Sequence, residues 1–195
     1  MGVYMLNGTI IKGIGGFYYI ATEQGVYACR ARGKVRKEGI KPTVGDRVLI
    51  SIIDGKNKKG SLDVIEERKN CLLRPRVSNI DQAIIVFASV SPDFNPDIMD
   101  RFIVLAEQQK LDILICINKI DLDSEEKYKE IYDIYSKAGF DVITVSAAKN
   151  YGIDILKSRL KGKTSVLAGP SGVGKSSVLN AIKPDIQAQV GEISR

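Results

Sequence analysis

The chain has 195 residues, of which 44% are hydrophobic and 27% charged, so it is long enough for one large or two modest globular domains. No run of 18 or more apolar residues occurs, and the mixed N-terminus lacks the apolar core of a signal peptide, so we expect a cytoplasmic protein that does not engage a membrane. Three widely separated cysteines without any histidine provide too few soft ligands for a zinc site, and we expect three reduced thiols.

The net charge of +6 lies almost entirely in the first third of the chain. Residues 1–68 contain 12 Lys and Arg against 7 Asp and Glu, whereas residues 69–195 contain 17 against 16. A basic module joined to a nearly neutral one favours contact with a polyanion such as nucleic acid. A surface that only keeps the protein soluble is the alternative.

The basic module is predicted to be a small β-barrel. Its five strands, separated by glycines and polar turns, are 8–12, 17–22, 26–31, 46–52 and 61–65. Five strands without a helical pattern favour an OB-fold, with an SH3-like barrel as the alternative. The end of the third strand and the loop after it contain a cluster of cations that we predict to contact nucleic acid: Arg30, Arg32, Lys34, Arg36 and Lys37.

The rest of the chain alternates strands with helices, which predicts a mostly parallel α/β sheet covered on both faces. The predicted strands are 82–90, 112–117, 141–145 and 164–168, and the predicted helices are 98–109, 124–138, 152–160 and one from Lys175. Ser124 is the predicted N-cap of the second helix. We therefore expect an OB-fold domain at 1–68, a linker at 69–80 and an α/β domain at 81–195.

The segment after the last predicted strand fits the phosphate-loop pattern G-x-x-x-x-G-K-[ST] without mismatch. Its predicted nucleotide-binding residues are Gly169, Pro170, Ser171, Gly172, Val173, Gly174, Lys175, Ser176 and Ser177. Glycines let backbone N–H groups wrap a phosphate, and the helix that follows contributes its positive N-terminal end. Lys175 is expected to reach the β- and γ-phosphates and Ser176 to ligate Mg²⁺, which makes these two the predicted catalytic residues.

A second motif, Asn118-Lys119-Ile120-Asp121, favours guanine over adenine. The Asp121 carboxylate can accept hydrogen bonds from guanine N1–H and the 2-amino group, whereas adenine lacks this pair of donors. The stem of Lys119 can lie over the base, and Asn118 is expected to tie this loop to the phosphate loop. Ser146, Ala147 and Ala148 resemble a third GTPase element, in which a backbone N–H reaches guanine O6. GTP or GDP is therefore the predicted nucleotide.

The order of these motifs is permuted relative to Ras-like GTPases, in which the phosphate loop comes first, because here both base-reading loops precede the phosphate loop. In this order of motifs, in the barrel motif Val44–Val48 and in the junction Leu73–Gln82, the sequence resembles the bacterial ribosome small-subunit-dependent GTPase A family. This family is also called RsgA, YjeQ or YloQ. The resemblance covers the whole chain. It implies an OB-fold before a circularly permuted GTPase domain, and a monomeric factor that binds 16S rRNA and hydrolyses GTP during late maturation of the 30S ribosomal subunit.

Family members continue with a switch threonine, a DxxG loop and a zinc-binding domain, and the sequence stops before these elements. We therefore expect a C-terminally truncated chain that binds nucleotide without efficient hydrolysis, with zinc implied only for the missing domain. Two other functions are weighed against this one. Asp121 argues against a P-loop ATPase or small-molecule kinase, and an intact Lys175-Ser176 argues against an RNA-binding module with a vestigial phosphate loop.

Overall fold

The computed structural model describes residues 4–33, 35, 40–73 and 75–183. The chain divides into two compact units, with the boundary between Ile80 and Asp81. Each unit has its own sheet and its own hydrophobic core.

The first unit is a closed five-stranded barrel. Its strands are β1 (Met5–Ile14), β2 (Phe17–Thr22), β3 (Gly25–Ala31), β4 (Arg47–Asp54) and β5 (Lys59–Ile65). They are hydrogen-bonded in the order β1-β2-β3-β5-β4, and β1 closes the barrel by pairing with β4. The pairing of β3 with β5 is parallel, and the other pairings are antiparallel. This topology confirms the OB-fold rather than the SH3-like barrel.

Alternation of side chains along the barrel strands produces a small interior core. Ile10, Ile20, Val48 and Ile50 are fully buried, and each comes from a strand whose neighbouring residues point the other way. Tyr27 is buried with them. Alternation along the strands, interrupted by irregularities in the pairing of β1 and β4, thus decides which side chains reach the core.

Residues 69–80, expected to be a linker, form a hairpin that belongs to the first unit. Its strands are β6 (Cys71–Leu73) and β7 (Arg76–Ser78). The fully buried Asp46 holds this segment to the barrel, because its carboxylate accepts from Ser78 Oγ at 2.6 Å and from Arg68 Nε at 2.7 Å. The same carboxylate also accepts from Thr43 N at 2.8 Å.

Replacing Asp46 with asparagine is expected to destabilise the first unit by about 2 kcal/mol, since hydrogen bonds to charged groups contribute more than neutral ones. The carboxylate raises the pKa of Arg68 through their hydrogen bond, and an amide would turn an N–H group toward that cation. Urea unfolding measures the change, with Glu23→Gln in an exposed turn as the control. Equal stability of the two variants would contradict this role for Asp46.

The second unit is a four-stranded parallel sheet with helices between the strands. The strands are β8 (Gln82–Ala88), β9 (Asp112–Asn118), β10 (Asp141–Thr144) and β11 (Ser165–Ala168), and the helices are α1 (Pro96–Gln108), α2 (Lys127–Lys137), α3 (Ile153–Leu160) and α4 (Lys175–Ile182). The sheet order is β10-β9-β8-β11, with parallel pairing throughout. All seven residues of β8 are buried, as expected for a central strand covered on both faces.

Two helix starts differ from the sequence prediction by two residues or more. The Asn95 side chain caps α1 by accepting from Ile98 N at 3.1 Å, so this helix begins two residues earlier than predicted. The prediction that Ser124 caps α2 is wrong. The helix begins at Lys127 without a side-chain bond at its cap, and the buried Asp123 instead accepts from Tyr128 N at 2.9 Å. The Asp123 carboxylate, one residue before Ser124, thus accepts from the start of the helix in place of the predicted serine.

The three cysteines are free thiols, as predicted. Burial raises the pKa of Cys29 to about 11 and that of Cys116 to about 12, so both remain protonated at neutral pH. Across the described ranges, no helix is long and apolar enough to span a membrane.

Candidate functional site

The three sequence motifs lie at one edge of the second unit's sheet. The phosphate loop follows β11, Asn118 ends β9, and Ser146 comes just after β10. Because all four strands are parallel, their carboxyl ends share this edge. Such an edge is where open α/β sheets bind ligands.

Two glycines allow the phosphate loop to pass close to its neighbours. Gly169 has φ +139° and Gly174 has φ +93°, which are backbone conformations that residues with a Cβ rarely adopt. A Cβ at Gly169 would overlap the carbonyl oxygen of Val86 in β8, and a Cβ at Gly174 would overlap the amide of Asn118. The loop conformation therefore requires glycine at both positions, and it leads directly into α4 at Lys175.

Lys175 curls back over its own loop. Its Nζ donates to the carbonyl oxygens of Gly169 at 2.9 Å and Pro170 at 2.6 Å. Partial burial lowers the pKa of this ammonium group. No carboxylate pairs with it among the residues that the structure describes. Because burial disfavours the charged form of Lys175, an anionic ligand at this position would stabilise the ammonium group.

Asn118 connects all three motifs. Its side chain is buried at the end of β9, where Nδ2 donates to Val173 O in the phosphate loop at 2.9 Å. Its Oδ1 accepts from Ala147 N at 3.2 Å. The first bond is the tie to the phosphate loop that the sequence predicted. The second bond holds the Ser146–Ala148 turn against the same side chain at the end of β9.

The next residues of this loop place one basic and one acidic side chain at the sheet edge. Lys119 has a left-handed backbone with φ +64°, and its Nζ donates to the carbonyl oxygen of Ser91. Its side chain also passes close to Gly174 in the phosphate loop. Ile120 begins a short 3-10 helix ending at Leu122, within which Asp121 is exposed. No described residue pairs with the Asp121 carboxylate, which leaves both oxygens available.

The turn after β10 is built around the buried Ser146. Its Oγ accepts from Lys149 N at 3.1 Å, and its backbone exchanges two hydrogen bonds with Tyr151 at 3.0 Å. Ala147 is half-buried beside Asn118, whereas Ala148 is exposed. The small residues thus let the turn approach the end of β9 closely.

Sequence reasoning missed the segment just after β8, which forms hydrogen bonds with the loop that begins at Asn118. Ser89 N donates to Asn118 O at 3.4 Å, and the Ser91 carbonyl receives the Lys119 ammonium group. Neither serine belongs to a recognisable motif. The signal that could have found them is the abrupt change from the apolar run of β8 to polar residues at its carboxyl end.

On the first unit, the predicted cationic cluster is only partly described, because Lys34, Arg36 and Lys37 lie outside the described residues, as do Arg74 and Gly191–Arg195. The Arg32 guanidinium pairs with the buried Asp63 at 3.1 Å, so it is partly engaged within the barrel. Arg30 instead lies over the ring of Phe17, with 4.4 Å between the guanidinium carbon and the ring centroid.

An outward-facing group of aromatic and basic side chains surrounds Arg30. Phe17 pairs with Arg30 across β2 and β3, and Tyr19 pairs with Lys12 across β1 and β2. The Lys12 ammonium group lies 5.8 Å from the centre of the Tyr19 ring. We call Lys12, Phe17, Tyr19 and Arg30 the aromatic–basic face. Its strands and its chemistry match the surface with which OB-folds bind oligonucleotides.

Two family models match the chain in the same order as its two units. The model described as RsgA N-terminal domain matches residues 7–61, and the model described as RsgA GTPase matches residues 65–195. The chain is 47% identical over 190 residues to a small ribosomal subunit biogenesis GTPase RsgA of Alkaliphilus metalliredigens. It is 46% identical to the protein of the same name in Caldanaerobacter subterraneus.

These alignments cover 97% of the chain but only 65% and 63% of the two relatives, so the chain spans a little under two thirds of their length. Two solved structures are similar over 93% of the chain and 66% of their own length. YjeQ from Thermotoga maritima has a TM-score of 0.85 at 39% identity. YloQ, described as a circularly permuted GTPase, has a TM-score of 0.81 at 41% identity.

Proposed function

The chain belongs to the RsgA GTPase family, and we propose that it binds GTP and GDP as part of a cytoplasmic GTP-hydrolysing factor that assists maturation of the small ribosomal subunit. The observation that carries the nucleotide part is the pair of hydrogen bonds by which Asn118 joins the phosphate loop to both base-reading elements. A competition between GDP and ADP for the same protein tests it, because a phosphate loop alone would accept both.

The division of labour within the proposed site follows from its geometry. Backbone N–H groups at the start of α4 and the Lys175 ammonium group would hold the phosphates. The unpaired Asp121 carboxylate would accept from N1–H and the 2-amino group of guanine. An adenine base would leave that carboxylate facing a ring nitrogen without a proton, which argues against an ATPase or kinase function.

The chain also fits a magnesium ion bound through the phosphates. No cluster of three or more His, Cys, Asp or Glu side chains that could hold a metal occurs in the described part of the chain. Ser176 lies in the first turn of α4, and its hydroxyl forms no hydrogen bond with another residue within the described ranges. We therefore assign Ser176 as the protein ligand, with phosphate oxygens and water completing the shell, and the ion would neutralise phosphate charge.

We extend the proposal to RNA on the strength of the aromatic–basic face. Nucleobases stack on exposed aromatic rings, and neighbouring cations neutralise the phosphate backbone. A cavity of about 290 Å³ on the same barrel adds Lys41 and Arg76 to the rings of Phe17 and Tyr18. We propose that this surface contacts 16S rRNA of the 30S subunit, while the second unit holds the nucleotide of a monomeric factor.

Reversing the charge of Arg30 is expected to weaken 30S binding about tenfold at low salt, because one phosphate contact becomes a repulsion. The Arg30→Glu variant should also show a shallower dependence of affinity on salt. Co-sedimentation with 30S subunits at two salt concentrations measures both effects. Arg47→Glu, an exposed change on β4, is the matched control.

GDP affinity of the Arg30→Glu variant should stay unchanged, since Arg30 belongs to the first unit. If Arg30→Glu and Arg47→Glu behave alike on subunits, the RNA contact does not lie on the aromatic–basic face.

A further inference from the structure

A buried carboxylate lies two residues after Asp121, and the proposed nucleotide site does not use it. Within residues 119–130, all of which the structure describes, Asp123 is the only buried residue, with 6% of its surface exposed. Aspartate is rarely buried unless it is paired, because removing its charge from water is costly. A carboxylate as the only buried anchor of this loop therefore indicates a role that an apolar side chain could not fill.

Asp123 connects the 3-10 helix that contains Asp121 with the start of α2. Its backbone N–H donates to Ile120 O at 3.3 Å, and its Oδ2 accepts from Tyr128 N at 2.9 Å. Its carbonyl oxygen accepts from Glu126 N at 3.2 Å. Asp123 thus closes a turn on each side of itself, and Asp121 lies within the first of these turns.

The charge of Asp123 is only weakly compensated within the described ranges. Its Oδ1 forms no hydrogen bond with any described residue. The pKa of the exposed Lys127 is raised mainly by its hydrogen bond with Glu125, with smaller contributions from Asp93 and Asp123. Because so few groups stabilise the buried carboxylate, its bond with Tyr128 N is costly to break, and the loop is held in one conformation.

We propose that Asp123 is a positioning residue for guanine recognition, which holds Asp121 where its carboxylate accepts from N1–H and the 2-amino group of the base. This inference rests on the proposed guanine site and adds to it a residue outside both base-reading motifs. Two hydrogen bonds to one carboxylate require a fixed carboxylate plane, because hydrogen bonds weaken steeply when they bend. The side chain of Asp121 is exposed and has no partner among the described residues, so its backbone must provide that order.

The variant Asp123→Ala tests this role through the ratio of two affinities, for GDP and for inosine diphosphate, which lacks the 2-amino group. The wild-type chain with magnesium should bind GDP about 30-fold more tightly, as expected for one hydrogen bond to a charged group. In Asp123→Ala the ratio should fall below about threefold, since Asp121 is no longer held in place. A residue that only stabilises the fold would lower both affinities by the same factor and leave the ratio unchanged.

Two further variants complete the titration series. Asp123→Asn should keep the wild-type ratio, because its amide oxygen can still accept from Tyr128 N. Ser124→Ala is the matched control, since Ser124 is the next residue and is exposed, and it should also keep the wild-type ratio.

Amide hydrogen exchange of the wild type gives a test that does not depend on the folding of a variant. Because coupling between two sites is reciprocal, saturating GDP should slow exchange of the Tyr128 N–H at least about threefold more than saturating inosine diphosphate does. Equal protection of Tyr128 by the two nucleotides would overturn the proposal. So would an unchanged ratio of affinities in Asp123→Ala, or a loss in Asp123→Asn as large as in Asp123→Ala. A wild type that binds GDP and ADP equally would instead contradict the proposed function, so the two failures are distinguishable.

Discussion

Replacing Asp121 with asparagine is expected to lower the affinity for GDP about 1000-fold, or about 4 kcal/mol. The carboxylate has no partner among the described residues and is free to accept two hydrogen bonds from guanine. An amide in its place offers one acceptor and sets an N–H group against a guanine donor, which leaves buried polar groups unpaired. The same amide matches the carbonyl at position 2 of xanthine, so affinity for xanthosine diphosphate should rise.

Isothermal titration with GDP and xanthosine diphosphate measures both changes. Glu125→Gln is the matched control, since Glu125 is exposed in the same segment and its partner among the described residues is Lys127. An Asp121→Asn variant that retains its preference for GDP over xanthosine diphosphate would remove Asp121 from base recognition.

Truncation of Lys175 to alanine is expected to weaken GTP binding by about 3 kcal/mol, or roughly 100-fold. The ammonium group is held above the phosphate loop by the carbonyl groups of Gly169 and Pro170, and burial lowers its pKa. A phosphate would replace these neutral acceptors with ionised ones, so that donor and acceptor would both carry charge. The loss should therefore be larger for GTP than for GMP, which lacks the β- and γ-phosphates.

Equilibrium titration with GTP, GDP and GMP gives the three affinities. Lys183→Ala, which removes an exposed lysine at the other end of α4, should leave all three unchanged. A uniform loss for the three nucleotides in Lys175→Ala would indicate a structural role of Lys175 rather than contact with the β- and γ-phosphates.

Much of the fold follows from local patterns in the sequence. The apolar run of β8 predicts a strand covered on both faces, and five short strands divided by glycines and polar turns predict a small barrel. The phosphate-loop motif predicts a strand before Gly169 and a helix from Lys175, and both are confirmed. These predictions succeed because a short stretch of sequence determines each of them.

Features that depend on contacts distant in sequence were not predicted. The hairpin of residues 69–80 is fixed by Ser78 and Arg68 on Asp46, more than 20 residues away, whereas its own sequence resembles a linker. The start of α2 shows the same limit on a smaller scale. Ser124 and Asp123 are both good capping residues, and only the backbone path decides that Asp123 reaches Tyr128 N.

The residues of the candidate site could be predicted from the sequence, but most of the hydrogen bonds between them could not. The positions of the motifs after predicted strands bring Asn118 and the phosphate loop to the same sheet edge, and the predicted tie between them is the bond to Val173. The bond to Ala147 and the support of Lys119 by the Ser91 carbonyl depend on side-chain geometry that no motif encodes. On the barrel, likewise, a count of charges could not separate Arg30 over Phe17 from Arg32 paired with Asp63.

Competition between GDP and ADP for the wild-type chain tests the central claim most directly, which is that Asn118–Asp121 and the phosphate loop form one guanine-nucleotide site. With a fluorescent GDP analogue bound in the presence of magnesium, unlabelled GDP should displace it at least about 1000-fold more effectively than ADP. Displacement by ADP at concentrations similar to those of GDP would contradict the claim, because it would show a phosphate site without base recognition.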